Sequence, residues 1–310
     1  MKTFFKMLFN IYEIHTINEK EFRNMKTIGI DVGGTTIKGS RFDELGKEEV
    51  SAFIRTEKQD FSIFVNNMFS LIGKLIDPEV KGIGIVSAGD INADHESYGN
   101  VINIPCLKGR SLGKEIEKKF NLPVYIENDA VGALVGEASL RKEKNIEMLT
   151  FGTGIGSACL IDGKPYHGDP YDFGHVALSR NGYKCKCGKR GCSEVYLSAI
   201  ALWKLACKRY RHNIEVTELM DAYRNGDKLA HSIIDEYSFL LNKLLGIIDK
   251  KLAPEVIILG GGLMGSSDVF KEHIKKYNAK IEFAVMGNKA GALGASILIR
   301  RELENGRKVN

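Results

Sequence analysis

Cys185, Cys187 and Cys192 crowd into one short Gly-rich segment, and His175 stands just ahead of them. One imidazole and three thiols form a four-ligand N/S set of the kind Zn²⁺ prefers, and a site filled by four protein ligands is structural rather than catalytic. Gly182, Gly188 and Gly191 supply the sharp turns needed to fold so short a segment round an ion. Reduced free thiols or a redox pair are the alternatives.

A second chemistry lies in three glycine turns that each follow an apolar strand. They are Gly33-Gly34-Thr35 just after Asp31, Gly152-Thr153-Gly154-Ile155-Gly156, and Gly260-Gly261-Gly262. Glycine there lets backbone N–H groups approach an anion that a Cβ would exclude, and phosphate is the natural guest. Taken singly, each turn is as well explained by a hairpin bend; their order along the chain carries the weight. Neither a P-loop nor a dinucleotide fingerprint fits, because no Gly-Lys-Ser/Thr follows at the right spacing and the Gly33 turn leads into a strand.

Asn128-Asp129-Ala130 ends an apolar strand and opens a helix. Read locally, Asn128 or Asp129 is an N-cap. Read chemically, a carboxylate there could take the proton from an alcohol as it attacks a phosphoryl group. Glu194 reads locally as a first-turn acid that complements a helix dipole.

The elements that position these residues follow from periodicity. The sequence predicts strands over 26–32, 36–42, 49–56 and 80–86, a helix over 61–76, a helix over 111–120 capped by Ser111, and a strand over 124–127. A restart follows, with strands over 148–151 and 157–161 flanking the second glycine turn, which suggests an internal duplication. After an irregular insert over 162–193 come helices over 194–210 and 229–252, a strand over 256–259, a helix near 268–277, a strand over 281–286 and a last helix over 290–303.

The 310 residues, 44% hydrophobic and 27% charged with a formal charge of +5, describe a globular chain of about two domains. Disorder, collagen and coiled-coil classes are excluded. Interspersed charges give no dedicated nucleic-acid surface, and no apolar run reaches the roughly 18 residues that span a bilayer. Six unevenly placed cysteines read as a reducing, cytoplasmic protein rather than a disulfide scaffold. Residues 1–24 lack a clear period and a signal-peptide cleavage site, and Lys20-Glu21 can be encoded as a ribosome-binding sequence ahead of Met25. Translation is therefore expected to begin at Met25, with 1–24 a non-native or disordered extension.

Four ordered segments, Asp31-Val32-Gly33-Gly34-Thr35-Thr36-Ile37-Lys38-Gly39, Glu127-Asn128-Asp129-Ala130, Gly152-Thr153-Gly154-Ile155-Gly156 and Cys185-x-Cys187-Gly188-x-x-Gly191-Cys192-x-Glu194, resemble the motifs of the ROK family of sugar kinases and repressors. The resemblance runs from Met25 to about Arg300 and implies a two-lobed α/β actin-like ATPase (ribonuclease H-like) fold with duplicated βββαβα units and a zinc-binding insert. Residues 25–128 with a helix at about 290–303 would form the small lobe and 129–289 the large one, with hinges near 127–129 and 287–294.

By the same resemblance, Gly33, Gly34, Thr35, Lys38, Gly152, Thr153 and Gly154 serve the phosphates of ATP, Gly261 and Gly262 lie near the adenosine, and Asp31 orients hydrated Mg²⁺. Asp129 is the general base, a buried acid facing the terminal phosphate, and Gly89, Asn128, Asp129, Asp172, His175 and Glu194 serve the sugar. His175, Cys185, Cys187 and Cys192 hold structural zinc, and a homodimer is expected.

Three departures weaken substrate identity. Asp172 stands in Asp172-Phe173-Gly174-His175 where family kinases carry Glu, Cys106 stands where they often carry Asn before a later aromatic, and Ser87-Ala88-Gly89 replaces a common Pro-Gly. The expected activity is ATP-dependent phosphorylation of a hexose, glucose to glucose 6-phosphate by default. Fructose, mannose or an N-acetylhexosamine are the competing substrates. A sugar-responsive regulator is the other class, and residues 1–24 are too short for its three-helix DNA-binding unit.

Overall fold

The computed structural model describes residues 25–167 and 171–309, so the expectation for residues 1–24 lies outside the described residues. The chain divides into two compact units. One runs to Lys142 and resumes at Lys289, and the other is Glu143–Asn288.

In the first unit, β1 (Lys26–Val32), β2 (Thr36–Phe42), β3 (Glu48–Arg55), β4 (Val80–Ser87) and β5 (Val124–Asn128) form a sheet of order β3-β2-β1-β4-β5. β1 and β2 are an antiparallel hairpin, whereas β1, β4 and β5 run parallel. Parallel strands are covered on both faces and read as near-continuous apolar runs, as β4 does in Ile83-Gly84-Ile85-Val86. Helix α1 (Phe61–Leu75) is started by Asp60, whose carboxylate accepts from Ile63 N at 2.9 Å. Its buried stripe of Phe64, Val65, Met68, Leu71, Ile72 and Leu75 joins the core of this unit. Helices α2 (Leu112–Phe120) and α3 (Asp129–Ala138) flank β5.

In the second unit, β6 (Ile146–Phe151), β7 (Ile155–Ile161), β8 (Lys164–Tyr166), β9 (Val256–Gly260) and β10 (Lys280–Phe283) form a sheet of order β10-β9-β6-β7-β8. Read from the other edge, that is the connectivity of the first sheet, with β6 in the place of β1 and β9 in that of β4. The duplication is thus present in topology as well as in turn chemistry. Helices α4 (Glu194–Leu197), α5 (Ala199–Tyr210), α6 (Val216–Arg224), α7 (Lys228–Lys251) and α8 (Ser267–Lys271) complete this unit, and α9 (Ala290–Glu304) returns to the first.

Three readings change. The helix predicted over 194–210 breaks at Ser198, whose ψ of 157° is extended and whose hydroxyl caps Ala201 N at 3.2 Å. The helix predicted near 268–277 stops at Lys271. Helix α6, absent from the prediction, begins in a capping box between Glu215 and Glu218.

The unit boundary also falls later than 128/129. Helix α3 packs on α9 so closely that a methyl at Gly294 would lie 1.8 Å from Gly132 O, and one at Gly136 would lie 2.2 Å from Ala290 O. That crossing lies inside the first unit, and it accounts for the small residues of α9.

Candidate functional site

The chemistry-bearing residues of the first unit collect where its parallel strands end. Val32, Ser87 and Asn128 lie in lateral register across β1, β4 and β5, the rim at which open α/β sheets bind ligands. Asp31 stands at the end of β1, opposite Lys38 in the hairpin. A methyl at Gly291, in the first turn of α9, would lie 2.6 Å from Asp31 Oδ2, so the glycine is what makes room for this carboxylate.

Burial and the charge of Asp129 push the Asp31 carboxyl up to about 6, and Lys38 partly offsets this. Two acids sharing one rim favour a cation between or beside them, so the donors present fit an Mg²⁺ site.

Asp129 opens α3. Asn128 is the N-cap, its Oδ1 accepting from Ala130 N at 2.9 Å while its amide nitrogen donates to Gly89 O at 3.3 Å. Asp129 Oδ1 shares the same Ala130 N–H, also at 2.9 Å, and its Oδ2 has no hydrogen-bond partner among the described residues. The side chain is exposed rather than buried, because the first residue of a helix at a strand end projects from the rim. The protein crowded round it still raises its carboxyl above the usual range, against the lowering effect of the Ala130 amide.

Gly89 has a φ of 120°, and a methyl there would meet Val101 at 2.9 Å, so backbone conformation and internal packing already require glycine.

The two strand-turn-strand glycine turns are each closed by the N–H of their first glycine, over four residues in the first turn and three in the second. Gly33 N closes the first turn on Thr36 O at 3.1 Å, and Gly152 N closes the second on Gly154 O at 2.9 Å. In each, the next two amides, those of Gly34 and Thr35 and those of Thr153 and Gly154, have no partner among the described residues. A methyl at Gly34 or Gly152 would meet nothing within 4 Å. Each turn is therefore an open nest of N–H donors.

Beside the second turn, Gly261 has a φ of 86° and its missing methyl would lie 2.5 Å from Phe151 N, so the third glycine turn is seated directly on the second. Gly262 faces open space.

The insert folds back as a tight loop in which Gly188 and Gly191 adopt φ of 88° and 75°. It brings His175, Cys185, Cys187 and Cys192 together with ligand atoms within 4.8 Å of one another. Cys187 and Cys192 Sγ are 3.6 Å apart, as are Cys185 Sγ and His175 Nδ1. A tetrahedron with Zn–S bonds of about 2.3 Å has edges of about 3.8 Å, so the donor set fits this metal. The imidazole faces the thiols through Nδ1, which leaves Nε2 for another partner.

Asp172 is exposed just before the 3₁₀ turn Phe173–His175. Glu194 opens α4, and its Oε2 accepts from Ile155 N at 3.2 Å, which ties the insert to the Gly154 turn.

Asp31, Gly33, Gly34, Thr35, Lys38, Gly89, Asn128 and Asp129 thus belong to the first unit, and the other predicted site residues to the second. Sequence reasoning missed Ser193, whose hydroxyl reaches Phe173 O and Gly174 O at 2.6 Å and fixes the segment between Asp172 and His175. Its place between Cys192 and Glu194 was the available signal.

A family model described as the ROK family matches residues 27–302. A glucokinase from Halalkalibacterium halodurans is 28% identical over 91% of this chain and 97% of that protein. An N-acetyl-D-glucosamine kinase from Photobacterium profundum is 29% identical over 87% of this chain and 98% of that protein. Among solved structures, a ROK hexokinase from Thermus thermophilus superposes with a TM-score of 0.81 at 25% identity, covering 91% of this chain and all of that one.

Proposed function

The chain belongs to the ROK family, and from that premise we propose that it transfers the γ-phosphoryl group of ATP to a hydroxyl of a hexose. The observation that carries this reading is the rim of the first unit, where Asp129 offers an Oδ2 unbonded among the described residues beside Asp31, and Asp31 leads into the turn with the unpartnered Gly34 and Thr35 amides. An alcohol is a poor nucleophile until its proton is drawn away, and a carboxylate with one oxygen anchored and one free is suited to accept it. The free amides of Gly34, Thr35, Thr153 and Gly154 would bind phosphate oxygens, supplying fixed donors where negative charge gathers. Asp31 would hold the hydrated Mg²⁺ that offsets phosphate charge.

Gly89, Asn128, Asp172, His175 and Glu194 would serve sugar recognition. Each replaces water hydrogen bonds that a polyol loses on binding. His175, Cys185, Cys187 and Cys192 would hold structural zinc, and a ligated Nδ1 leaves Nε2 to address a sugar hydroxyl. Asp172, one methylene shorter than Glu, withdraws its carboxylate by about 1.5 Å, and Cys106 removes an amide. Glucose is the default substrate, and an N-acetylhexosamine is the stronger competitor because relatives of near-equal identity carry both names. Those relatives are named as kinases, which favours turnover over a regulatory role.

The test is ADP release with ATP and Mg²⁺ over glucose, fructose, mannose, N-acetylglucosamine and N-acetylmannosamine. Sugar-dependent release with at least one hexose is expected; ADP release that no sugar stimulates would refute the reading.

A further inference from the structure

Glu147 lies in β6 with no exposed surface, on the face it shares with the core residues Leu149 and Phe151. A carboxyl in such a place costs free energy unless it is partnered or neutral. Its Oε1 is 2.7 Å from Ser157 Oγ on β7, while its Oε2 is buried with no partner among the described residues. Ser157 Oγ is in turn 3.1 Å from Tyr171 O and 3.1 Å from Phe173 N. Those two groups flank Asp172, whose φ of −78° and ψ of 83°, with Phe173 N 3.0 Å from Tyr171 O, place it at the apex of an inverse γ-turn.

The proton count decides how this cluster is wired. Phe173 N can only donate and Tyr171 O can only accept, and a serine hydroxyl has one proton and two lone pairs. If Glu147 were ionised, the Ser157 proton would have to choose between the carboxylate and Tyr171 O. If Glu147 is neutral, its O–H donates to Ser157 Oγ, Phe173 N–H donates to the same oxygen, and Ser157 gives its own proton to Tyr171 O. Each of the three contacts to Ser157 Oγ then has a proton, with the Phe173 N–H shared between Ser157 Oγ and Tyr171 O, and the atom left unpaired is a neutral carbonyl oxygen, which costs less to bury than a charged one.

We propose that Glu147 is a positioning residue for Asp172, a neutral acid that donates to Ser157 and so lets one hydroxyl clamp both sides of the turn that presents Asp172. Among the described residues, the titratable groups facing Glu147 are Cys159, opposite it on β7, and Asp172. Burial and the charge of Asp172 both push the Glu147 carboxyl upward, in keeping with the neutral form. No cation is provided among these partners. The inference rests on the reading of Asp172 as a sugar ligand, and it explains how the shorter acid is held in a fixed place.

The test compares Glu147→Gln, Glu147→Ala and Ser157→Ala, with Asp172→Asn as the reference for sugar binding. Steady-state kinetics would use glucose or N-acetylglucosamine, whichever the unaltered protein phosphorylates, and amide hydrogen exchange over residues 171–175 would be read on the same proteins. Glu147→Gln, which keeps a neutral donor, should hold the sugar KM within about twofold. Glu147→Ala and Ser157→Ala should raise it about tenfold with kcat changed less than about threefold, and should speed exchange in the turn. Gln as damaging as Ala would show that a charged acceptor is what the site uses and would overturn the proposal. So would Ala variants with unchanged KM and exchange. Should Glu147→Ala fail to fold, the near-isosteric Ser157→Ala decides alone. If the unaltered protein phosphorylates no hexose, the kinase reading fails, whereas the exchange data still judge the clamp.

Discussion

Asp129→Asn separates the chemical role of this side chain from its structural one, because its two oxygens do different jobs. Oδ1 shares the Ala130 N–H with Asn128, and an asparagine carbonyl can continue to accept that bond. Losing a charge at the start of α3 costs about 0.3–1 kcal/mol through the helix dipole, but relief of the crowding that raises the Asp129 carboxyl works in the opposite direction. The change in unfolding free energy should therefore stay within about 1 kcal/mol.

Oδ2 becomes an NH₂ that cannot take a proton. Loss of a general base is worth ~10²- to 10⁴-fold, or about 2.7–5.4 kcal/mol of barrier. A coupled ADP-release assay at saturating sugar should register that loss in kcat while sugar affinity, measured by calorimetry, changes less than about threefold. The charge that helps raise Asp31 also disappears, so the acid limb of the pH profile should move to lower pH. A variant turning over within about threefold of the parent would refute the base assignment, and one that unfolds would refute the hydrogen-bond argument.

The remaining expectations concern the metals and the packing. Asp31 ionises at about 6, well above the ordinary carboxylate range, so kcat/KM at low Mg²⁺ should fall below about pH 6, and raising Mg²⁺ should shift that limb downward. Because the folded carboxyl sits above its unfolded value, ionisation opposes folding. Stability without metal should decline as pH rises through that range, and thermal unfolding from pH 4 to 8 with and without Mg²⁺ would show it. Cys192→Ser or zinc chelation should abolish one metal per chain by elemental analysis and raise the sugar KM roughly 10-fold or more; full activity in a zinc-free preparation would remove the metal from the account. Gly294→Ala puts a methyl against Gly132 O and should destabilise the protein by about 1–3 kcal/mol in denaturant melts, with loss of activity following unfolding rather than preceding it.

Local signals were legible in the sequence, and long-range ones were not. Each glycine turn, the N-cap at Asn128 and the cysteine-histidine set depend on neighbours in the chain, so residue type and spacing were enough. The paired sheets were likewise readable, because each hairpin announces itself by strand, turn and strand. The unit boundary was misplaced because α3 is held by α9 from the far end of the chain through glycine contacts that periodicity cannot reveal. Asp129 was read as buried because its strand is apolar, although the side chain itself stands on the rim. Glu147 escaped notice because one acid in a strand looks like ordinary solvent-facing alternation. Only the pairing of β6 with β7 and the return of residues 171–173 over them turn it inward.

Helix α9 rests on β1 and β4 with almost no clearance, since methyls at Gly29 and Gly84 would each lie 1.9 Å from its carbonyls. During synthesis on the ribosome, the unit begun first therefore lacks this layer until the stretch from Glu143 to Asn288 has emerged. At 5–20 residues per second that delay is roughly 7 to 30 s. The later-born unit is contiguous and can acquire its native arrangement while the earlier one waits with an uncovered sheet. A released chain truncated after Asn288 should consequently resist protease over 143–288 and remain susceptible over 26–142, inverting the usual order of vectorial folding.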